Sequence, residues 1–283
     1  MIFNYIKLAY RNFIKYKFIS FINLLGLTIG LACCFLIGIY ILHELSFDKY
    51  NPEAKRIYRI TRSFNNPETG AINLNLGTVA PPFGYYLPTD FPEIEKITRL
   101  IDNSPAPVRY GEKKFNEQSV YFADENLFDF FKVDMIAGNP KKALSDPFSV
   151  MLTPEVAKKY FGNEEPMNKV LRMNNQFDLK VTGIYQPFPS NAHLHPAMMI
   201  SFNTLNDTAV YGAENLLTNW GNNSFLTYLL LPEKYDIKKM EARFPAFLDK
   251  HMTQNGNSKF KTSQGTSLAL QKLTDIHLRS HLD

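Results

Sequence analysis

The chain has 283 residues, with 31 Lys and Arg against 27 Asp and Glu, a formal charge of +4. Hydrophobic residues at 45% and charged residues at 20% suit a folded chain and exclude a disordered one. The whole excess charge comes from Lys7, Arg11, Lys15 and Lys17, and residues 43–283 are neutral overall. A nucleic-acid binder would need that excess on its folded body, so this class is disfavoured.

Taken in chain order, residues 1–17 come first. Lys7, Arg11 and Lys15 recur every four positions and form one basic stripe on a helix, while Phe3, Ile6, Tyr10, Phe13 and Ile14 occupy much of the rest. That pattern predicts a cytoplasmic helix lying in the membrane interface, its basic side on anionic headgroups, with Lys17 adding to the charge.

Phe18 to Leu42 follows without a charge. As a helix it would extend roughly 37 Å, against about 30 Å of hydrocarbon, and it predicts a membrane helix over residues 18–45. A cleaved signal would have a shorter apolar region and a small-residue cleavage site, and Cys33-Cys34 lie inside the run, so an uncleaved anchor is expected. Basic residues precede the span and His43-Glu44 follow it, which places the N-terminus in the cytoplasm and residues 46–283 outside. Gly26, Gly30, Cys34 and Gly38 are spaced four apart and form a small-residue stripe suited to close packing against another helix. The exported part has no Cys, so no disulfide braces it, and at this size it needs none.

In the exported part, Arg56 to Arg62 reads as a strand, and Pro81-Pro82 open a short helix over Phe83–Leu87 bounded by Pro88 and Pro92. Val108 to Tyr110, Gly111, Phe115 and Val120 to Phe122 read as a hairpin and a following strand, and Phe128, Phe130 and Phe131 as core. Ser149 to Leu152 is a strand leading into a helix with Thr153 as N-cap, Pro154 first and Gly162 as its end. Val170 to Met173, a turn at Asn174-Asn175, and Phe177 to Ile184 form a second hairpin. Phe225 to Leu231 reads as an apolar strand, followed by one helix over residues 237–251.

Catalytic signatures are missing. The sequence has no phosphate-cradling G-x-x-x-x-G-K-[ST], no G-x-S-x-G, no H-E-x-x-H and no C-x-x-C. His193 and His195 would share a face on a strand, and His277 and His281 a face on a helix, but neither pair has an obvious third ligand. A loop or core role is expected for both pairs. The chain therefore reads as a non-enzyme with no cofactor.

The opening from Leu8 to Phe64 resembles the start of FtsX-like/MacB-like ABC transporter permeases. The stretch from Phe130 to Leu171 is similar to that family's periplasmic core domain, with Gly138-Asn139-Pro140, Ala143-Leu144, Pro147, Thr153 and Phe161-Gly162 in the family's places. Residues 181–202, the strand with Tyr228 and the ending Leu273–Asp283 continue the likeness. The resemblance implies an α+β extracytoplasmic domain in two lobes, the second inserted at about residues 103–205 and both anchored by one N-terminal membrane helix. Family members go on to further membrane helices, so the chain is expected to be a fragment or a truncated relative. The implied role is mechanotransmission in a bacterial inner membrane: ATP hydrolysis by a separate ABC ATPase drives the extracytoplasmic domain, for export of peptide, drug or lipoprotein. Implied partners are that ATPase, a second permease copy or half, a periplasmic adaptor with an outer-membrane channel, and membrane lipid. The competing reading is a single-span envelope sensor or binding protein without transport.

Overall fold

A computed structural model describes residues 2–252 and 259–282. The chain divides into two units, Met1–Ser46 and Phe47–Asp283.

The first unit holds two helices, α1 (Ile2–Lys15) and α2 (Lys17–Glu44). Tyr16 breaks them apart with a non-helical backbone (φ −113°, ψ 57°). α2 is the one helix among the described residues that is long and apolar enough to cross a membrane. None of its side chains is buried within the chain, as expected of a helix whose solvent is lipid.

The second unit is a mixed α/β domain. Its strands in chain order are β1 (Ile57–Asn65), β2 (Ile72–Leu76), β3 (Lys96–Asp102), β4 (Ala106–Tyr110), β5 (Lys113–Glu117), β6 (Val120–Ala123) and β7 (Met135–Gly138). They continue with β8 (Ser149–Leu152), β9 (Val170–Met173), β10 (Phe177–Tyr185), β11 (Met198–Ser201), β12 (Phe225–Leu230) and β13 (Thr266–Lys272). The helices are α3 (Phe83–Asp90), α4 (Pro154–Phe161), α5 (Ala213–Thr218), α6 (Ile237–Glu241), α7 (Phe244–His251), α8 (Thr262–Gly265) and α9 (Ile276–Arg279).

One sheet runs β13-β1-β12-β3-β6-β11-β8-β10-β9-β4-β5, with β2 on β1 and β7 on β10. Strands from the two ends of the chain lie on one side of the β3–β6 pairing, and the excursion between β3 and β12 supplies the other side. β6–β11 and β8–β10 are parallel, and the remaining pairs are antiparallel. The core follows the same division. Ile60, Phe83, Phe91, Leu229 and Phe247 pack under α3 and α7, and Val108, Phe122, Val150, Tyr160 and Val181 pack under α4. A third cluster, with Phe130, Phe131, Met151, Tyr185 and Tyr228, packs on residues of both sides.

Arg99 on β3 fastens the seam. Its guanidinium donates twice to Asp124, at 2.9 Å each, and its backbone N–H donates to the same carboxylate. It lies 4.0 Å from the centroid of the Phe202 ring. Burial pulls the Arg99 pKa down, but Asp124 outweighs it and the net shift is upward.

Local structure departs from the sequence reading at four places. The helix opened by Pro81-Pro82 does not stop at Pro88 but runs on to Asp90. Pro88 forfeits only the bond its N–H would make to Gly84, and burial of Phe83, Gly84 and Leu87 holds the turn together. The helix expected over residues 237–251 is two helices, α6 and α7, because Pro245 cannot donate back to Glu241. Thr153 is the N-cap of α4 by position, but its hydroxyl caps nothing there. Pro154 has no N–H to satisfy, and Gly162 closes the helix at φ 65° as expected. His281 lies beyond the end of α9, so His277 and His281 do not pair on a helix.

Candidate functional site

Lys7, Arg11 and Lys15 stand exposed on α1, spaced one turn apart. Lys17 does not belong to that stripe: it is the first residue of α2, beyond the break at Tyr16. Gly26, Gly30 and Cys34 are exposed on α2 and Gly38 is half-buried, and a Cβ at any of the three glycines would meet open space. At 100° per residue the four positions drift by about 120° around the helix, which suits a partner that crosses at an angle.

The most elaborate polar arrangement lies where the chain enters the domain. Asp48 follows the last residue of α2 by four positions, and its side chain is 1% exposed. Its backbone is left-handed (φ 58°), a conformation that Asp and Asn tolerate better than most residues. In that geometry its N–H donates to the Asn191 carbonyl at 2.8 Å. Its Oδ1 accepts from His193 Nδ1 at 2.8 Å and from the His193 backbone N–H at 3.3 Å. The far nitrogen of the ring, Nε2, lies 2.7 Å from the hydroxyl of Tyr228 on β12. A carboxylate only accepts, so Nδ1 carries the proton toward Asp48, and in the neutral tautomer Nε2 is left to accept the Tyr228 O–H.

Tyr228 is fully buried, and burial pushes its pKa well above the usual tyrosine value. Phe131 meets its ring edge-on, with centroids 5.2 Å apart. Arg59 on β1 is also buried. Burial lowers its pKa while the Asp48 charge opposes the shift, and its Nη2 donates to Gln271 on β13 at 2.6 Å. Asn51 continues the network, accepting from the Lys132 backbone N–H at 2.9 Å. Phe47 stacks face to face on His277 of α9, with centroids 3.4 Å apart and planes 4° from parallel.

Chemically this is a clasp. Asp48 and Tyr228 are buried with His193 between them, no nucleophile is presented, and the contacts of Phe47, Asp48 and Asn51 join the segment after α2 to distant parts of the domain. His193 and His195 are in a loop and not on a strand; His195 is exposed while His193 is engaged by Asp48 and Tyr228. Among the described residues no group of three His, Cys, Asp or Glu side chains could hold a metal. Asp48 was not singled out by sequence; its one signal is an Asp placed just past a long apolar helix.

Residues 20–247 match the family model of the MacB-like periplasmic core domain. No curated protein matches the chain. Among solved structures, a domain of a Porphyromonas gingivalis protein classed as a permease is similar at TM-score 0.64 and 18% identity, over 78% of this chain and 91% of that one. The periplasmic region of MacB from Actinobacillus actinomycetemcomitans is similar at TM-score 0.50 and 15% identity, over 79% and 91%. The extracellular domain of the noncanonic ABC-type transporter YknZ from Gram-positive bacteria is similar at TM-score 0.50 and 16% identity, over 75% and 99%.

Proposed function

The chain belongs to the MacB-like periplasmic core domain family, and from that premise we propose that it is the permease subunit, or its N-terminal part, of a MacB/FtsX-type ABC transporter. A separate ABC ATPase on the cytoplasmic side drives it, in company with a second permease copy or half. Residues 1–17 lie at the cytoplasmic face with Lys7, Arg11, Lys15 and Lys17 on lipid headgroups, residues 18–45 span the inner membrane, and residues 46–283 lie in the periplasm. The cargo class is peptide, drug or lipoprotein, passed on with an adaptor and an outer-membrane channel.

The observation that carries this reading is the clasp at Asp48. Only Leu45, Ser46 and Phe47 separate the last residue of α2 from a side chain bonded to His193 and, through it, to β12. Four peptide steps extend at most about 14 Å, so displacement of a membrane helix reaches the sheet with little slack. A long flexible linker, as a tethered binding module would use, is absent between residues 44 and 48.

The test is reconstitution in nanodiscs of the gene product carrying residues 1–283 with the ABC ATPase encoded beside it. A stable complex whose ATP turnover depends on this chain supports the proposal. A chain that binds no ATPase and leaves its turnover unchanged would favour the single-span sensor reading instead.

A further inference from the structure

Arg62 on β1 is a buried cation that no carboxylate among the described residues answers. It is 3% exposed. Its Nε donates to the Thr266 hydroxyl at 3.0 Å, and its Nη1 to the Trp220 carbonyl at 2.9 Å and to Asn223 Oδ1 at 2.8 Å. Its Nη2 reaches only the Met252 sulfur, at 3.9 Å, so neither N–H of that nitrogen has an oxygen acceptor among the described residues. Burial alone pushes the Arg62 pKa down to about 10. A buried charge in this condition is costly unless an anion answers it.

Beside Arg62 lies a cavity of about 280 Å³. Phe64, Trp220, Met252, Thr262 and Gly265 line it together with Arg62. Its volume is near the low end of the roughly 300–1,000 Å³ of small-ligand sites, and the walls supply apolar surface around one cationic fork, the usual composition of such a site. Arg62 also lies 4.5 Å from the Phe64 ring centroid, which fixes the plane of the guanidinium.

We infer that this cavity binds a small carboxylate carried on a short apolar group, with Arg62 Nη2 donating to the carboxylate and the aromatic walls covering the apolar part. The inference rests on no part of the transport proposal. A phosphate ester of the same size would be too strongly hydrated to favour walls of Phe64, Trp220 and Met252.

Trp220 is the single tryptophan of the chain and lines the cavity, so its fluorescence reports occupancy directly. Full-length protein in maltoside micelles is titrated with N-acetyl-leucine, with its uncharged amide, and with hexanoate. Saturable change with N-acetyl-leucine, and at least about tenfold weaker response to the amide, is expected, as for loss of a charge-assisted hydrogen bond. Response to hexanoate as strong as to N-acetyl-leucine points to a fatty-acid-like ligand; a response confined to N-acetyl-leucine points to a peptide C-terminus. Two variants complete the test. Arg62→Gln removes the cation. Gly265→Leu fills the cavity, because an added Cβ at Gly265 meets nothing within 4 Å and its backbone requires no positive φ. Both are expected to abolish the carboxylate response. Equal titrations with acid and amide, no saturable response to either carboxylate, or a full response in folded Gly265→Leu would overturn the inference.

Discussion

Asp48 and His193 stand 145 residues apart in sequence and meet through a 2.8 Å hydrogen bond in the interior of the domain. With Tyr228 behind the imidazole, the bond ties the first residues after α2 to β12, the third strand from one edge of the sheet. Each partner is worth little alone, and the energetic weight comes from what is stranded when one is removed.

Asp48→Ala strands both His193 donors and forces alanine into a left-handed backbone, so it should destabilise the protein by about 2–4 kcal/mol. Asp48→Asn keeps an acceptor at the same position and tolerates that backbone, and should cost under about 1 kcal/mol. Urea unfolding of the two variants measures the difference, and equal costs would show that the bond to His193 carries no weight.

Two glycines with positive φ separate backbone preference from space. An added Cβ at Gly138 (φ 93°) would lie 2.4 Å from the Thr182 carbonyl oxygen and 2.9 Å from the Gly183 Cα, both backbone atoms of β10. Gly138→Ala should therefore cost about 3 kcal/mol or more. Gly162 (φ 65°) has nothing within 4 Å of such an atom, and Gly162→Ala should cost only about 1 kcal/mol. Thermal denaturation should rank them in that order.

Asp90 sets a pH dependence. Its hydrogen bond from Lys250 lowers its pKa most, partial burial opposes this, and His251 lowers it further. A carboxylate with a depressed folded-state pKa stabilises the fold above its unfolded pKa near 4, and that contribution is lost as pH falls through the folded value. Lys250 is 62% exposed, so the contribution should be under about 1 kcal/mol. Wild type should lose more stability than Asp90→Asn between pH 5 and 3, and parallel melting curves across that range would refute the assignment.

The small-residue stripe of α2 makes a prediction in lipid. Gly30→Leu should weaken helix assembly by about 1–3 kcal/mol, while Ile29→Leu should be nearly neutral. A membrane two-hybrid reporter carrying residues 1–60 measures both, and equal signals would mean that the glycines face lipid.

Local rules reached much of this architecture. The strand, Pro154 and Gly162 of the β8–α4 unit are visible in sequence because each acts on its neighbours, and Asn174-Asn175 both adopt the positive φ that a tight hairpin turn needs. Pro245 is a local helix breaker, and the expectation of one helix over residues 237–251 takes no account of it. What local rules could not reach is pairing across the chain. The parallel β6–β11 and β8–β10 ladders and the Asp48–His193–Tyr228 contact depend on loop closures of tens to hundreds of residues. Arg62 was read as part of a strand, and nothing in its neighbours announces that a fold distant in sequence leaves it buried without a carboxylate.

The most direct measurement of the transmission claim places a spin label at Glu68, in the exposed turn between β1 and β2, in a background with Cys33 and Cys34 replaced by Ser. Pulsed electron resonance between two copies, in nanodiscs with the ATPase, compares the distance distribution with and without ATP and magnesium. The account predicts a shift of about 5 Å or more in the otherwise wild-type protein, and a much smaller one in Asp48→Ala at a temperature where that variant is folded. A distribution that ATP leaves unmoved, or an undiminished shift in Asp48→Ala, would contradict it.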